Sequence, residues 1–234
     1  MFNTILAHAE STGSVYGTTD MSMYLYAHAR MTKPQVICEF GTGFGTTAFM
    51  LAEACRANGL GHVYTQDDGS DWQSTDLAYP DYIQQMTREF DLAQWLTMDY
   101  RSVDWLSWHH WDHLDRVDLI FNDISATPLA WARLIAWAIP RVHDTCWICI
   151  DRGATYWPCY SAIELTLAQL NQGRVPGTML RASGDAQLLV SLAGQFRYSV
   201  QYTVKALDPQ RGVSMEQDSF ALVKIERVDI GYRL

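Results

Sequence analysis

Six polar residues in this sequence end or follow short apolar runs: Glu39 after Val36-Ile37-Cys38, Asp67 after His62-Val63-Tyr64-Thr65-Gln66, Asp99 after Gln94-Trp95-Leu96-Thr97-Met98, Asn122 and Asp123 after Val117-Asp118-Leu119-Ile120-Phe121, and Asp151 after Thr145-Cys146-Trp147-Ile148-Cys149-Ile150. Read as strands of an open α/β sheet, these runs bring their carboxyl ends to one rim, where such sheets bind ligands. The first acid is followed by Phe40-Gly41-Thr42-Gly43-Phe44-Gly45-Thr46-Thr47, with three alternate glycines. Glycine admits backbone conformations closed to other residues and lets a ligand approach closely, while a helix that starts there offers unpaired N–H groups. A nucleotide-like ligand suits that combination. The nicotinamide fingerprint G-x-G-x-x-G needs glycine at position 46, where this chain has Thr46, so the spacing is G-x-G-x-G instead.

The elements that must position these residues can be read in order. Ala48-Phe49-Met50-Leu51-Ala52-Glu53-Ala54-Cys55 has helix-forming composition, with Gly59 placed to stop it. Ile83, Met86 and Phe90 recur at helical spacing behind Pro80. Pro128 opens a third helical stretch through Trp137, and a fourth runs through Ile163, Leu167 and Leu170 after Tyr156, Trp157 and Tyr160. Residues 196–204 alternate apolar and polar, as a half-buried strand does, and Phe220-Ala221-Leu222-Val223-Lys224-Ile225 is the expected antiparallel partner. Residues 1–32 mix helical signals over 21–29 with a polar loop at 11–19, and Asp20 is placed to cap the helix. Residues 174–192 receive no assignment. The expected fold is α/β, a Rossmann-like doubly wound sheet that is mostly parallel and closes with a C-terminal antiparallel strand pair. Its expected domains are an N-terminal helical cap over residues 1–32 and a single α/β domain over 33–234.

Glu39-Phe40-Gly41-Thr42-Gly43-Phe44-Gly45 resembles the first motif of the class I S-adenosylmethionine-dependent methyltransferases, an acid and alternate glycines at the end of the first strand. The resemblance spans about residues 33–228. It implies S-adenosyl-L-methionine as cofactor, held by Glu39, Gly41, Thr42, Gly43, Gly45, Asp67, Asp68, Asp99 and Tyr100. Asp67 stands about 20 residues beyond the glycines, where a carboxylate accepts from both ribose hydroxyls, and Asp99 falls where the family places an adenine neighbour. The resemblance also implies that residues 1–32 pack over the cofactor mouth; the alternative is that Tyr24 and Tyr26 merely pack on the sheet edge.

The net charge of −9, from 17 basic and 26 acidic residues, and the lack of a Lys/Arg cluster disfavour a nucleic-acid partner. No apolar run reaches membrane-spanning length, and the first eight residues lack the basic region of a secretory signal, so a soluble cytoplasmic protein is expected. A small-molecule substrate is the expected partner, and a homodimer is an allowed assembly. Five cysteines, an odd number, are read as buried reduced thiols, and Cys146 and Cys149, three apart in a strand, face opposite sides. His109 and His113 would share a helix face, yet no H-E-x-x-H or nearby cysteine completes a metal site.

Related small-molecule O-methyltransferases bind a divalent cation through acids at the ends of the fourth and fifth strands. Here Asp123 and Asp151 occupy those places, but Arg152 stands where a further oxygen ligand is expected, so no metal is assigned. The candidate catalytic residues are Asn122, Asp123, Asp151 and Tyr160. Asp123 has two readings, a neighbour of the cofactor's amine or a base for the acceptor, and Asn122 beside it favours the first. Three functions remain: transfer of methyl to a small acceptor, which leads; cyclisation of S-adenosylmethionine to azetidine-2-carboxylate and methylthioadenosine; and a non-catalytic nucleotide-binding or scaffold role, disfavoured by the intact acids and glycines.

Overall fold

The apolar runs form strands and the helical repeats form helices. The structure, a computed structural model, describes residues 2–12, 19–73, 76–105, 111–204 and 219–228. In order these form α1 (Phe2–Thr12), α2 (Thr19–Thr32), β1 (Val36–Phe40), α3 (Thr46–Asn58), β2 (His62–Gln66), α4 (Tyr79–Glu89), β3 (Leu96–Asp99), β4 (Leu119–Asn122), α5 (Pro128–Ala138), β5 (Thr145–Asp151), α6 (Trp157–Asn171), α7 (Gly177–Ala182), α8 (Ala186–Ala193), β6 (Phe196–Thr203) and β7 (Phe220–Arg227). The strand order is β3-β2-β1-β4-β5-β7-β6, a mostly parallel seven-stranded Rossmann-like sheet that ends in an antiparallel pair. The described residues fall into two units, the first ending at Val103 and the second beginning at Asp104.

In the first unit β1 pairs in parallel with β2, from Val36 opposite His62 to Phe40 opposite Gln66, and β2 pairs in parallel with β3. Four of the five β1 residues are buried, Glu39 among them, because helices must cover both faces of a parallel strand. On α3, Ala48 to Cys55 are buried without a break. Gly59 ends that helix in the left-handed region (φ 66°), with its N–H on the Arg56 carbonyl and the Leu60 N–H on the Cys55 carbonyl. Both N-terminal helices pack on α3. Asp20 lies in the first turn of α2, and Tyr26 packs on Phe2 of α1 with ring centroids 4.6 Å apart.

In the second unit β4 and β5 are parallel, and β7 is antiparallel to both β5 and β6. The alternation read over 196–204 is the burial pattern of β6, whose Phe196 and Tyr198 are buried while Arg197, Ser199 and Gln201 are exposed. Residues 174–192, unassigned from sequence, hold the two short helices α7 and α8. The Leu188-Leu189-Val190 run buries Leu189 and leaves Leu188 and Val190 exposed. All five cysteines are buried free thiols. Among the described residues no helix is long and apolar enough to cross a membrane.

Candidate functional site

The turn between β1 and α3 takes its shape from its glycines. Gly41, Gly43 and Gly45 have φ of 92°, 50° and 78°, in the left-handed region that disfavours any residue with a β-carbon. Gly45 is needed twice over, since a β-carbon there would lie 2.5 Å from the Phe49 ring. The three glycine N–H groups bond within the fold: Gly41 to the Gln66 carbonyl at 2.9 Å, Gly43 to Asp67 Oδ2 at 2.9 Å and Gly45 to the Thr42 carbonyl at 2.7 Å. The N-cap of α3, Gly45, has no side chain to accept from the N–H groups of the helix's first turn.

Asp67 is half-buried, and besides the Gly43 N–H it accepts the Gly69 N–H on Oδ1 at 2.8 Å. Each oxygen keeps a further lone pair, so the carboxylate is oriented by the backbone and can still accept from a diol. Asp68 is exposed and accepts the Ser70 N–H at 2.8 Å. Glu39 is fully buried. The Thr65 hydroxyl donates to its Oε2 at 2.5 Å and lies 2.5 Å from the Thr42 hydroxyl, while Oε1 has no partner. Burial pushes the Glu39 carboxyl up to about 8, the Thr65 bond opposing and the Asp67 charge reinforcing the shift.

Asp99 is held by Arg101, which bonds Oδ1 at 2.8 Å and Oδ2 at 2.6 Å, while its carbonyl accepts the Asp67 N–H at 3.0 Å. Tyr100 donates to the Pro80 carbonyl at 3.4 Å and meets Tyr79 edge-on. The following segment is anchored by buried Gln66, whose amide donates to the Arg101 and Ser102 carbonyls. The sequence reading missed an aromatic wall beside the loop: Trp72 lies 5.2 Å from Phe44, 5.4 Å from Tyr79 and 4.6 Å from Tyr82 between ring centroids. A cleft of about 320 Å³ on the flank of α4 and β3 shares Met98 and Tyr100 with this region but touches no glycine-loop residue.

In the second unit, the ends of β4 and β5 carry the remaining candidates. Asn122 is buried; its amide nitrogen donates to the Ser125 carbonyl at 2.7 Å, and its Oδ1 has no partner. Thr127 caps α5 by accepting the Ala130 N–H at 3.2 Å, which sets the turn behind Asn122. Asp123 and Asp151 lie within hydrogen-bonding reach of one another. Burial raises the proton affinity of Asp151, opposed by Arg152, whose Nε bonds Asp151 Oδ2 at 3.1 Å, and by Asp123. The two carboxyls thus form a pair that favours holding a proton. Arg152 itself sits in the left-handed region (φ 57°), its N–H on the Ser219 carbonyl at 2.6 Å. Tyr160 packs in a ring cluster with Trp157 at 5.5 Å and Tyr202 at 4.9 Å.

Among the described residues no three His, Cys, Asp or Glu side chains gather as metal ligands, and His109 and His110 lie outside those residues. The Arg152 guanidinium, bonded to Asp151 Oδ2, sets positive charge beside one of the oxygens that a cation would use.

Comparison with solved structures finds the same fold in several O-methyltransferases. TomG of Streptomyces achromogenes, involved in tomaymycin synthesis and crystallised with S-adenosylmethionine, is 16% identical, covering 90% of this chain and 81% of its own, with a TM-score of 0.51. An O-methyltransferase of Bacillus cereus with S-adenosylhomocysteine is 13% identical over 96% of this chain and 90% of its own, TM-score 0.53. An S-adenosylmethionine-dependent O-methyltransferase of Thermotoga maritima is 11% identical over 96% of this chain and 70% of its own, TM-score 0.55. Comparison with curated protein sequences finds no match. Neither the family nor these structures lends support to the cyclase reading. The model of the family described as "Methyltransferase domain" matches residues 38–173, from β1 through α6, and with the glycine loop and Asp67 inside that span the chain belongs to this family of S-adenosylmethionine-dependent methyltransferases.

Proposed function

We propose that the chain transfers the methyl group of S-adenosylmethionine to a hydroxyl oxygen of a small-molecule acceptor, in the cytoplasm and with no divalent metal. The observation that carries this reading is the acid pair Asp123 and Asp151 with Arg152 on one of its oxygens, a proton-accepting group that already has its counter-charge. The O-methyltransferase names of the similar structures favour oxygen as the accepting atom, and the net charge of −9 favours a small molecule over nucleic acid.

When bound, S-adenosylmethionine supplies a methyl carbon made electrophilic by its sulfonium. Gly41, Thr42, Gly43 and Gly45 shape the turn that receives it, and the first-turn N–H groups of α3 meet its carboxylate. Asp67, oriented by the Gly43 and Gly69 amides, accepts from the ribose hydroxyls, with exposed Asp68 beside it. Tyr100 borders the adenine. Asp99, tied to Arg101, sets the backbone there and offers only its remaining lone pairs. Glu39 supports the loop from beneath through Thr65 and Thr42.

Transfer is an in-line displacement, so the chain's main task is to hold the acceptor oxygen about 3 Å from the methyl carbon, away from water. Asp151, the member of the pair that carries the Arg152 counter-charge, takes the hydroxyl proton in its ionised form, because raised proton affinity brings a carboxylate closer to the hydroxyl it must deprotonate. Buried Asn122 Oδ1 accepts from a donor on the bound molecule, and Tyr160 with Trp157 offers a ring face to the acceptor.

The test is incubation with S-adenosylmethionine and a panel of small phenols, catechols and aliphatic alcohols, with products separated by chromatography. The expected result is S-adenosylhomocysteine whose formation depends on one class of acceptor. Enzyme-dependent methylthioadenosine with a four-membered-ring amino acid, formed without any acceptor, would overturn the proposal in favour of cyclisation.

A further inference from the structure

We propose that His8 and Tyr82 are positioning residues for cofactor binding, forming a relay that ties α1 to the Phe44 carbonyl and so fixes the glycine loop; the role rests on reading that loop as part of the S-adenosylmethionine site. His8 Nε2 lies 2.9 Å from the Tyr82 hydroxyl, which donates to the Phe44 carbonyl at 3.2 Å. The Phe44 carbonyl accepts from the Tyr82 hydroxyl and also from the His8 ring, so both side chains hold the same oxygen. Burial holds His8 below its ordinary value, although the Glu89 carboxylate and the bond to the Phe44 backbone pull the other way.

Packing holds the relay in register. The His8 ring meets Phe90 edge-on at 5.4 Å and lies 6.2 Å from Phe49, the ring that fills the space beside Gly45. The Tyr82 ring sits 4.6 Å from Trp72 and 6.1 Å from Phe44. The relay joins three separate parts of the chain, since His8 and Tyr82 are 74 positions apart and Tyr82 and Phe44 are 38 apart.

The Phe44 carbonyl and the Gly45 N–H belong to one peptide group. Tyr82 fixes its oxygen, and the Thr42 carbonyl accepts its hydrogen at 2.7 Å. Gly45, with φ 78°, has little intrinsic preference for this setting. When the bonds from Tyr82 and His8 are weakened that peptide gains freedom to rotate, and the first turn of α3 loses its fixed direction. The helix N-terminus that meets the cofactor is thus aimed partly from α1, through a side chain that need not touch the cofactor.

Three variants test this with S-adenosylhomocysteine as the calorimetric probe and with amide hydrogen exchange in the ligand-free protein. Tyr82→Phe and His8→Phe should each weaken binding about 3- to 10-fold, and the double variant should be no weaker than the worse single one. His8→Gln, whose amide can donate to the same hydroxyl, should recover binding to within about 2-fold, which loss of packing alone would not predict. Exchange of the Gly45 amide should quicken about tenfold in Tyr82→Phe. Unchanged Gly45 exchange in Tyr82→Phe, or fully additive losses in the double variant, would overturn the relay. Absence of binding by the unaltered protein would bring down the cofactor reading and this role with it, a failure distinct from the relay's own.

Discussion

Replacing Glu39 with glutamine should change stability in a pH-dependent way whose size follows from the burial of this side chain. In the folded protein the carboxyl is pushed up to about 8 from an ordinary value of 4.5, chiefly by burial. Below pH 4.5 both folded and unfolded chains hold the proton and the group is neutral in the balance. Between 4.5 and 8 the unfolded chain ionises while the folded one does not, so stability falls by about 1.4 kcal/mol per pH unit. Above about 8 the loss levels off at roughly 5 kcal/mol. Glutamine cannot ionise, so Glu39→Gln escapes this loss, although its amide nitrogen would occupy a buried position without an acceptor, at about 1 to 3 kcal/mol. The variant should therefore be less stable than the unaltered protein near pH 5 and more stable at pH 8, the difference shifting by about 3 kcal/mol between pH 5.5 and pH 8. Urea unfolding followed by tryptophan fluorescence at a series of pH values measures this. A difference that stays constant with pH would mean that Glu39 is ionised in the folded protein, and the burial argument would fail.

Other expectations follow from the loop and the acid pair. Gly45→Ala places a β-carbon 2.5 Å from the Phe49 ring at φ 78°, so it should destabilise by about 1 to 3 kcal/mol; an unchanged thermal midpoint would mean that the loop accommodates it freely. Asp151→Asn keeps the shape of the side chain but removes its charge, so turnover should fall roughly 10²- to 10⁴-fold while S-adenosylhomocysteine binds as before; a variant with unaltered turnover would exclude the base role. Activity should survive EDTA because Arg152 already bonds Asp151, and full loss with rescue by Mg²⁺ would make Asp123 and Asp151 metal ligands instead.

The parts of the site that depend on local sequence were legible, and those that depend on distant packing were not. Gly41, Gly43 and Gly45 announce themselves because only glycine suits three alternate left-handed positions. β1 is visible as an apolar run because it is buried on both faces, whereas the expected third and fourth strands each began two residues before β3 and β4, both of which are only four residues long. α7 and α8 escaped because such short helices show too few turns to reveal a period. Glu39 carries the motif's signature, but nothing local tells that its carboxyl is sealed behind Thr65 and Thr42. The pairing of Asp99 with Arg101 was within reach of the sequence, two positions apart. The contact of His8 with Tyr82 was not, for it exists only once α1 and α4 are brought together.

Calorimetric titration of the purified protein and of Asp67→Ala with S-adenosylhomocysteine tests the central claim most directly. Asp67 is oriented by the Gly43 and Gly69 amides and is assigned to the ribose. One site per chain is predicted for the unaltered protein, with no binding of NAD. Loss of charged hydrogen bonds worth roughly 1.5 to 3 kcal/mol should weaken the variant by about 10- to 100-fold. Equal affinity in the two proteins would remove Asp67 from the site, and no binding by the unaltered protein would contradict the assignment of the glycine loop to this cofactor.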